Sequence, residues 1–142
     1  MSFHQRIPQR SQVDYIGIPY QVRGRNIDHD NGLDCWGLVR LWYRDNFGVD
    51  LDSYIAEYQT LKERELIASI VERESVDWIQ VIVPVCGDIV LWQVGQHWMH
   101  IGVMVREDSF LHVLGKAGST MEKITSLRWK TRPRKFFRLP LK

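Results

Sequence analysis

The sequence predicts an α+β fold in which N-terminal helices pack on an antiparallel sheet of about five strands. Apolar residues recur at helical spacing in the first half of the chain, whereas β-branched runs separated by turns dominate from Trp78 onward. A length of 142 residues with 44% apolar content suits one core. We therefore expect a single domain over residues 1–142, of which residues 1–12 form a flexible polar arm.

The first predicted helix spans Leu33–Phe47 and carries a cysteine near its start. Asp34 supplies capping or ion-pair chemistry in front of the helix, and Gly48 supplies a stop behind it. A thiol in the first helical turn, here Cys35, faces unpaired backbone N–H groups and the positive end of the helix dipole. Both favour the thiolate, which is the nucleophilic form of cysteine. A nearby histidine would make this helix start the site of a cysteine enzyme.

The remaining elements are predicted to build the core. A second helical region covers residues 53–74, with a break near Thr60 where the apolar period slips. Its apolar stripe indicates packing and no chemistry. The predicted sheet of about five strands is drawn from six candidate runs, which are Trp78–Val85, Asp88–Gln93, Met99–Val105, Ser109–Leu114, Thr120–Ile124 and Lys135–Leu139.

Charge and composition limit the classes of partner. A formal net charge of +2 is too small to predict a nucleic-acid partner, and no apolar run approaches the roughly twenty residues that span a bilayer. We expect a soluble product without a leader, with both cysteines reduced and Cys86 a buried spectator. The basic stretch 128–142 suits a solvated strand edge, or else a patch for an acidic partner.

Two histidines are predicted to meet across a hairpin. If Arg106–Asp108 is a three-residue loop, His112 lies opposite Gly102 and His100 becomes its diagonal neighbour on the same face. A two-residue loop would place the two imidazoles on opposite faces. Gly102, between the histidines, is expected to leave room for the start of the Cys35 helix.

The roles follow if Cys35 lies against these histidines. His100 would take the thiol proton, and His112 would fix its tautomer and orientation. The Cys35 N–H and the Tyr20 hydroxyl would bind the oxyanion. Three alternatives remain: Cys35 as plain core, His112 as a satisfied core histidine, and a zinc site, which the thiol and imidazole spacings do not match.

Five short motifs in this order resemble the NlpC-type cell-wall cysteine peptidases, a papain-like family. The resemblance covers most of Tyr15–Leu139. The motifs are Pro19-Tyr20, Asp34-Cys35-Trp36-Gly37-Leu38-Val39, Gly87-Asp88-Ile89-Val90-Leu91-Trp92, His100-Ile101-Gly102-Val103 and Phe110-Leu111-His112. The resemblance implies a catalytic triad of Cys35, His100 and His112, no cofactor and no metal. It also implies cleavage of peptidoglycan stem peptides between D-glutamate and diaminopimelate, with Tyr20, Asp34 and Trp36 near the substrate.

The stretches Asp34–Gly37 and Trp42-Tyr43 look most like the versions in phage and prophage tail tips. This likeness implies a virion component made in the host cytoplasm, acting at the cell wall and bound to other tail-tip proteins. Trp36 stands where many family members have a small serine, and we expect its ring to narrow the groove.

Two other functions remain open for the same architecture. One is a catalytically weak or inactive structural protein of the tail tip, which the tryptophan at position 36 and the basic stretch favour. The other is a thiol acyltransferase or amidase.

Overall fold

The computed structural model describes residues 11–26, 30–54, 63–74 and 76–140. In these ranges two α-helices pack on one antiparallel sheet of six strands, so the α+β prediction is confirmed with one strand more than expected. A 3-10 helix, Gln12–Tyr15, precedes the helices. The helices are α1 (Cys35–Phe47) and α2 (Glu63–Glu74), and the strands are β1 (Ile79–Val81), β2 (Ile89–Val94), β3 (His97–Met104), β4 (Ser109–Val113), β5 (Ser119–Lys123) and β6 (Arg134–Arg138).

Helix α1 begins two residues later than predicted. Leu33 is held in a parallel bridge with Tyr20, so the helix begins only after the cap at Asp34. Its end matches the prediction, because Gly48 adopts the left-handed conformation with φ of 67°.

Helix α2 is described over Glu63–Glu74, within the predicted region 53–74. Ser53 and Tyr54 are not helical, and Tyr54 has a φ of 58°. The predicted break near Thr60 lies outside the described residues. From Glu63 onward the helix is as expected, and Ile67 and Ile70 are fully buried against the sheet.

The sheet runs in the order β1-β6-β2-β3-β4-β5, so the last strand lies between the first two. Asp88, just before β2, accepts from Arg138 Nε at 2.9 Å and Nη2 at 2.8 Å, and Asp88 is fully buried. Such a two-pronged pairing fixes both position and orientation. It ties the start of β2 to the end of β6.

Apolar clusters cover both faces of the sheet. Helix α1 packs on β3 and β4 and helix α2 packs on β3, which makes the larger cluster. The smaller cluster, on the opposite face, includes Trp92, Phe110 and Trp129. Among the described residues, no helix has the length and apolar character needed to cross a membrane.

The β3–β4 hairpin has the predicted register. Val105 N–H donates to the Ser109 carbonyl at 2.9 Å, and Val103 pairs with Leu111. The loop Arg106–Asp108 therefore has three residues. One step farther along the same register, a Cβ on Gly102 would lie 3.3 Å from His112 Cβ, so these two residues are neighbours.

Gly102 makes a different close contact from the one predicted. A Cβ there would meet the Leu111 carbonyl oxygen at 2.8 Å, Phe110 Cδ2 at 3.2 Å and His112 Cβ at 3.3 Å. All three atoms belong to β4. The expectation that this glycine makes room for the start of α1 is therefore wrong, because the neighbouring strand takes the space.

We expect Gly102→Ala to lower the free energy of unfolding by about 1–3 kcal/mol, since the added methyl overpacks a backbone contact that cannot move alone. Urea unfolding followed by fluorescence measures this change. A variant within about 0.5 kcal/mol of wild type would show that β4 yields easily.

The segment before α1 is held by the distant strand β5. The Ser119 hydroxyl accepts from Ile18 N–H at 2.7 Å and donates to the Tyr15 carbonyl. Farther back, the Gln12 side chain accepts from the Trp42 indole at 2.6 Å. Residue 12 of the predicted arm is thus in contact with α1, and residues 1–10 lie outside the described part.

Candidate active site

Cys35 is the first residue of α1, directly after the cap at Asp34. The Asp34 carboxylate accepts from Gly37 N–H at 2.8 Å and pairs with Arg25, and it is 2% exposed. A Cβ on Gly37 would lie 2.1 Å from the Gly24 carbonyl oxygen, so only glycine fits in this turn. Asp34 thus has the cap and ion-pair roles predicted for it, both through its Oδ1.

The loop in front of Cys35 is fixed by the Pro19-Tyr20 motif. Leu33 N–H donates to the Pro19 carbonyl at 2.9 Å, and Gln21 N–H donates to the Leu33 carbonyl at 3.1 Å. The Tyr20 backbone therefore runs beside the residues that lead into the helix. Tyr20 is half-buried against the larger cluster. Its role as an oxyanion donor stays a prediction.

The two predicted histidines meet. His100 Nε2 and His112 Nδ1 are 2.7 Å apart, a hydrogen-bond distance, with ring planes inclined by 73°. His100 is 4% exposed and His112 is 1% exposed. The three-residue hairpin loop is the physical reason for this meeting, because it keeps both rings on one face.

Two residues that sequence reasoning did not single out complete this cluster. Glu122 Oε2 lies 2.6 Å from His112 Nε2 and accepts from Trp129 Nε1 at 3.0 Å. The Trp129 ring stacks on His100 with 5.7 Å between centroids and an angle of 19°. For Glu122 a signal existed: it alternates with Thr120, which pairs with His112, so both side chains leave β5 on that face.

Burial keeps both imidazoles neutral at neutral pH. Loss of hydration lowers the pKa of His100 to about 3, with further lowering by His112 and Arg128. Burial, followed by the charge of Arg128, lowers the pKa of His112 to about 4. A neutral imidazole has a lone pair, so His100 is in the form that can accept a proton.

Trp36 does not form a groove wall. It is 1% exposed, and its indole N–H donates to the Asp52 carbonyl at 2.8 Å. Its ring packs at a tilt against Tyr54, 6.2 Å between centroids. The expectation that this ring narrows the groove is therefore wrong. Trp36 instead anchors the segment that follows α1.

The structure thus brings His100 and His112 together, in contact with Phe110 and Trp129 of the smaller cluster, whereas Cys35 belongs to the larger cluster on the other face of the sheet. Contact between the Cys35 sulfur and His100 stays a prediction. No group of three or more potential metal ligands occurs in the part of the chain that the structure describes. His29, which lies before the Cys35 loop, is outside that part.

Comparison with known proteins shows which family the chain belongs to. The chain is 26% identical over 120 residues to the murein DD-endopeptidase MepS/murein LD-carboxypeptidase of Escherichia coli K12, covering 84% of this chain and 55% of MepS. It is 24% identical to a Haemophilus influenzae protein named "Probable endopeptidase", covering 83% of this chain and 64% of that protein. The chain therefore spans little more than half the length of these relatives.

The fold agrees with that of a solved structure. The NlpC/p60 domain of the peptidoglycan hydrolase SagA superposes with a TM-score of 0.53 at 18% identity, covering 87% of this chain and 89% of that domain. The family model described as NlpC/P60 matches residues 17–138, which include both histidines, the α1 cysteine and every strand. The chain belongs to the NlpC/P60 family.

Proposed function

We propose that this chain is a cysteine endopeptidase that cleaves amide bonds in peptidoglycan stem peptides, of the D-glutamyl–diaminopimelate type. The observation that carries the proposal is the 2.7 Å contact between His100 and His112 in a chain whose first long helix starts at a cysteine. Family membership supports it, since MepS is a murein endopeptidase by name and SagA a peptidoglycan hydrolase.

The reaction assigned to these residues has two halves. The Cys35 sulfur attacks the scissile carbonyl carbon while its proton passes to His100, and the oxyanion binds the Cys35 N–H and the Tyr20 hydroxyl. Collapse of this intermediate breaks the C–N bond, and the leaving amine takes the proton from His100. Water then hydrolyses the thioester, giving a carboxylate and free enzyme. His112 orients the His100 ring throughout.

Digestion of purified peptidoglycan tests the proposal. Wild type should release fragments with new amine termini, and Cys35→Ala, as the matched blank, should release none. Fragment masses identify the bond, and a D-glutamyl–diaminopimelate cut leaves diaminopimelate with a free amine. Cleavage between two stem peptides would move the proposal towards the activity named for MepS. Transfer of the acyl group to an added amine would favour an acyltransferase.

Selective alkylation of the cysteines reports on activation of the thiol. We expect iodoacetamide at pH 6 to modify Cys35 faster than Cys86, although Cys35 is 1% exposed and Cys86, predicted to be buried, is half-buried. The physical reason is that only the thiolate reacts, and the helix start, with His100 as the proposed proton acceptor, favours that form. Peptide mapping over time measures both rates.

His100→Gln is the matched variant for this comparison, and it should slow labelling of Cys35 without changing that of Cys86. Faster labelling of Cys86 in the wild-type protein would argue against an activated nucleophile.

A finer part of the proposal is that the domain works at the tail tip of a phage, made in the host cytoplasm and held by other tail-tip proteins. Its support is the likeness of the Asp34–Gly37 and Trp42-Tyr43 stretches to tail-tip versions of the family. Mass spectrometry of gradient-purified particles from the source culture tests it. Peptides of this chain should sediment with intact tails. Recovery only from envelope fractions would contradict this location.

Burial favours a second function, that of a structural tail-tip protein. Cys35 and His100 are 1% and 4% exposed, so a substrate has little access to either side chain. On this alternative neither wild type nor Cys35→Ala yields product, while particles carrying Cys35→Ala still assemble.

A further inference from the structure

A line of three hydrogen-bonding side chains ends at Glu122. His100 Nε2 faces His112 Nδ1 at 2.7 Å, and His112 Nε2 faces Glu122 Oε2 at 2.6 Å. The same oxygen lies 3.0 Å from Trp129 Nε1. The Glu122 side chain is 23% exposed, whereas His112 is fully covered. The partly exposed carboxylate of Glu122 therefore lies at the solvent side of the buried His100–His112 pair.

Donor and acceptor chemistry fixes the protons along this line. An indole N–H only donates and a carboxylate only accepts, so Oε2 accepts from Trp129 and requires a proton on His112 Nε2. A neutral His112 then has its lone pair on Nδ1. His100 must donate to that lone pair from Nε2. The lone pair of a neutral His100 is thereby left on Nδ1.

We propose that Glu122 is a positioning residue that sets the tautomer of both imidazoles and so decides which nitrogen of His100 accepts the thiol proton. The consequence for catalysis rests on the proposed peptidase function, but the tautomers themselves do not. Without the carboxylate, His112 loses the acceptor of its Nε2–H. The tautomers of both rings can then reverse, so that His112 Nδ1 donates to His100 Nε2. The proton of His100 then lies on Nδ1, the nitrogen that must be unprotonated to accept the thiol proton.

Trp129 holds this arrangement in place. Its ring stacks on His100 and meets the His112 ring at 89° with 5.3 Å between centroids, while its N–H binds Glu122. The guanidinium groups of Arg128 and Arg132 lie 5.5 and 5.3 Å from the Trp129 ring centre. The line is therefore fixed by contacts on each of its members.

Nitrogen-15 NMR of the imidazoles tests the proposal directly, because protonated and unprotonated ring nitrogens give distinct shifts. Wild type at pH 7 should show His100 and His112 both protonated on Nε2. Glu122→Gln keeps an acceptor oxygen and should keep this pattern. Glu122→Leu removes it and should give reversed or mixed tautomers. Glu107→Gln and Glu107→Leu change an exposed carboxylate in the β3–β4 loop and serve as matched controls.

Activity provides the second readout. Glu122→Leu should lower kcat/KM by about 10- to 100-fold, with Glu122→Gln within a few-fold of wild type. Unchanged tautomers in Glu122→Leu would overturn the proposal whatever the activity. If Glu122→Leu does not fold, reversed tautomers in Glu122→Gln would overturn it and retained ones would support it. A wild type with the expected tautomers but no peptidase activity would refute only the proposed function.

Discussion

Cys35→Ala should lower kcat/KM on a stem-peptide substrate by at least about a thousandfold, to the rate of the uncatalysed blank. The reason is that alanine lacks the sulfur of the proposed nucleophile, so no acyl intermediate can form and His100 has no thiol proton to accept. Release of the amine product from a purified tripeptide or tetrapeptide measures the loss.

Two comparisons separate lost chemistry from lost structure. Cysteine behaves as a small apolar side chain, so Cys35→Ala should stay folded, with about 1 kcal/mol or less lost from the free energy of unfolding. Cys86→Ala, at the other thiol, should retain wild-type kcat/KM. Cleavage that persists in Cys35→Ala would exclude this thiol as the nucleophile and leave the fold without an assigned activity.

Acidification from pH 7 to pH 4 should destabilise the protein by several kcal/mol through its two buried imidazoles. In the unfolded chain these rings bind protons near pH 6.5, but burial lowers the pKa of His100 to about 3 and that of His112 to about 4. Between these lowered pKa values and pH 6.5 the unfolded state binds more protons than the folded state, so the free energy of unfolding rises with pH. The stabilisation is complete above pH 6.5 and is lost towards pH 4, at about 1.4 kcal/mol per pH unit for each ring.

Urea unfolding at pH 7.5, 6, 5 and 4 measures this slope. His112→Gln should flatten it, since the variant removes one of the two groups, although its stability at pH 7.5 will be lower. His97→Gln, at an exposed position in β3, should leave the slope unchanged. A His112→Gln slope equal to that of wild type would show that carboxylates, and not these imidazoles, determine acid unfolding.

The fold and the histidine pair could be predicted because they depend on local patterns. Alternation in β3 and β4 placed His100 and His112 on one face, and the length of the Arg106–Asp108 loop then determined their register. The cap at Asp34 depends on one short segment, because its side chain accepts from the N–H of Gly37 only three residues later. Each of these requires information from only a few neighbouring residues.

Glu122 and Trp129 depend on longer connections that carry no periodic signal. A 3-10 turn at Gly115–Ala117 joins β4 to β5 and sets the pairing that brings Glu122 beside His112. Trp129 lies in an irregular segment between β5 and β6, where no period indicates which face a side chain covers. The error at Trp36 has a related cause: its burial depends on Asp52 and Tyr54, which follow the helix in a conformation the sequence does not indicate.

The hydrogen bonds of the Ser119 hydroxyl have a consequence for the order in which the protein folds during its synthesis. Tyr15 and Ile18 are bound by a hydroxyl that lies 104 and 101 residues farther along the chain. Contacts of such high sequence separation form late, and during translation they must wait for the distant partner to leave the ribosome. Tyr15 and Ile18 therefore gain these hydrogen bonds only after β5 has emerged, long after Cys35 has been synthesised.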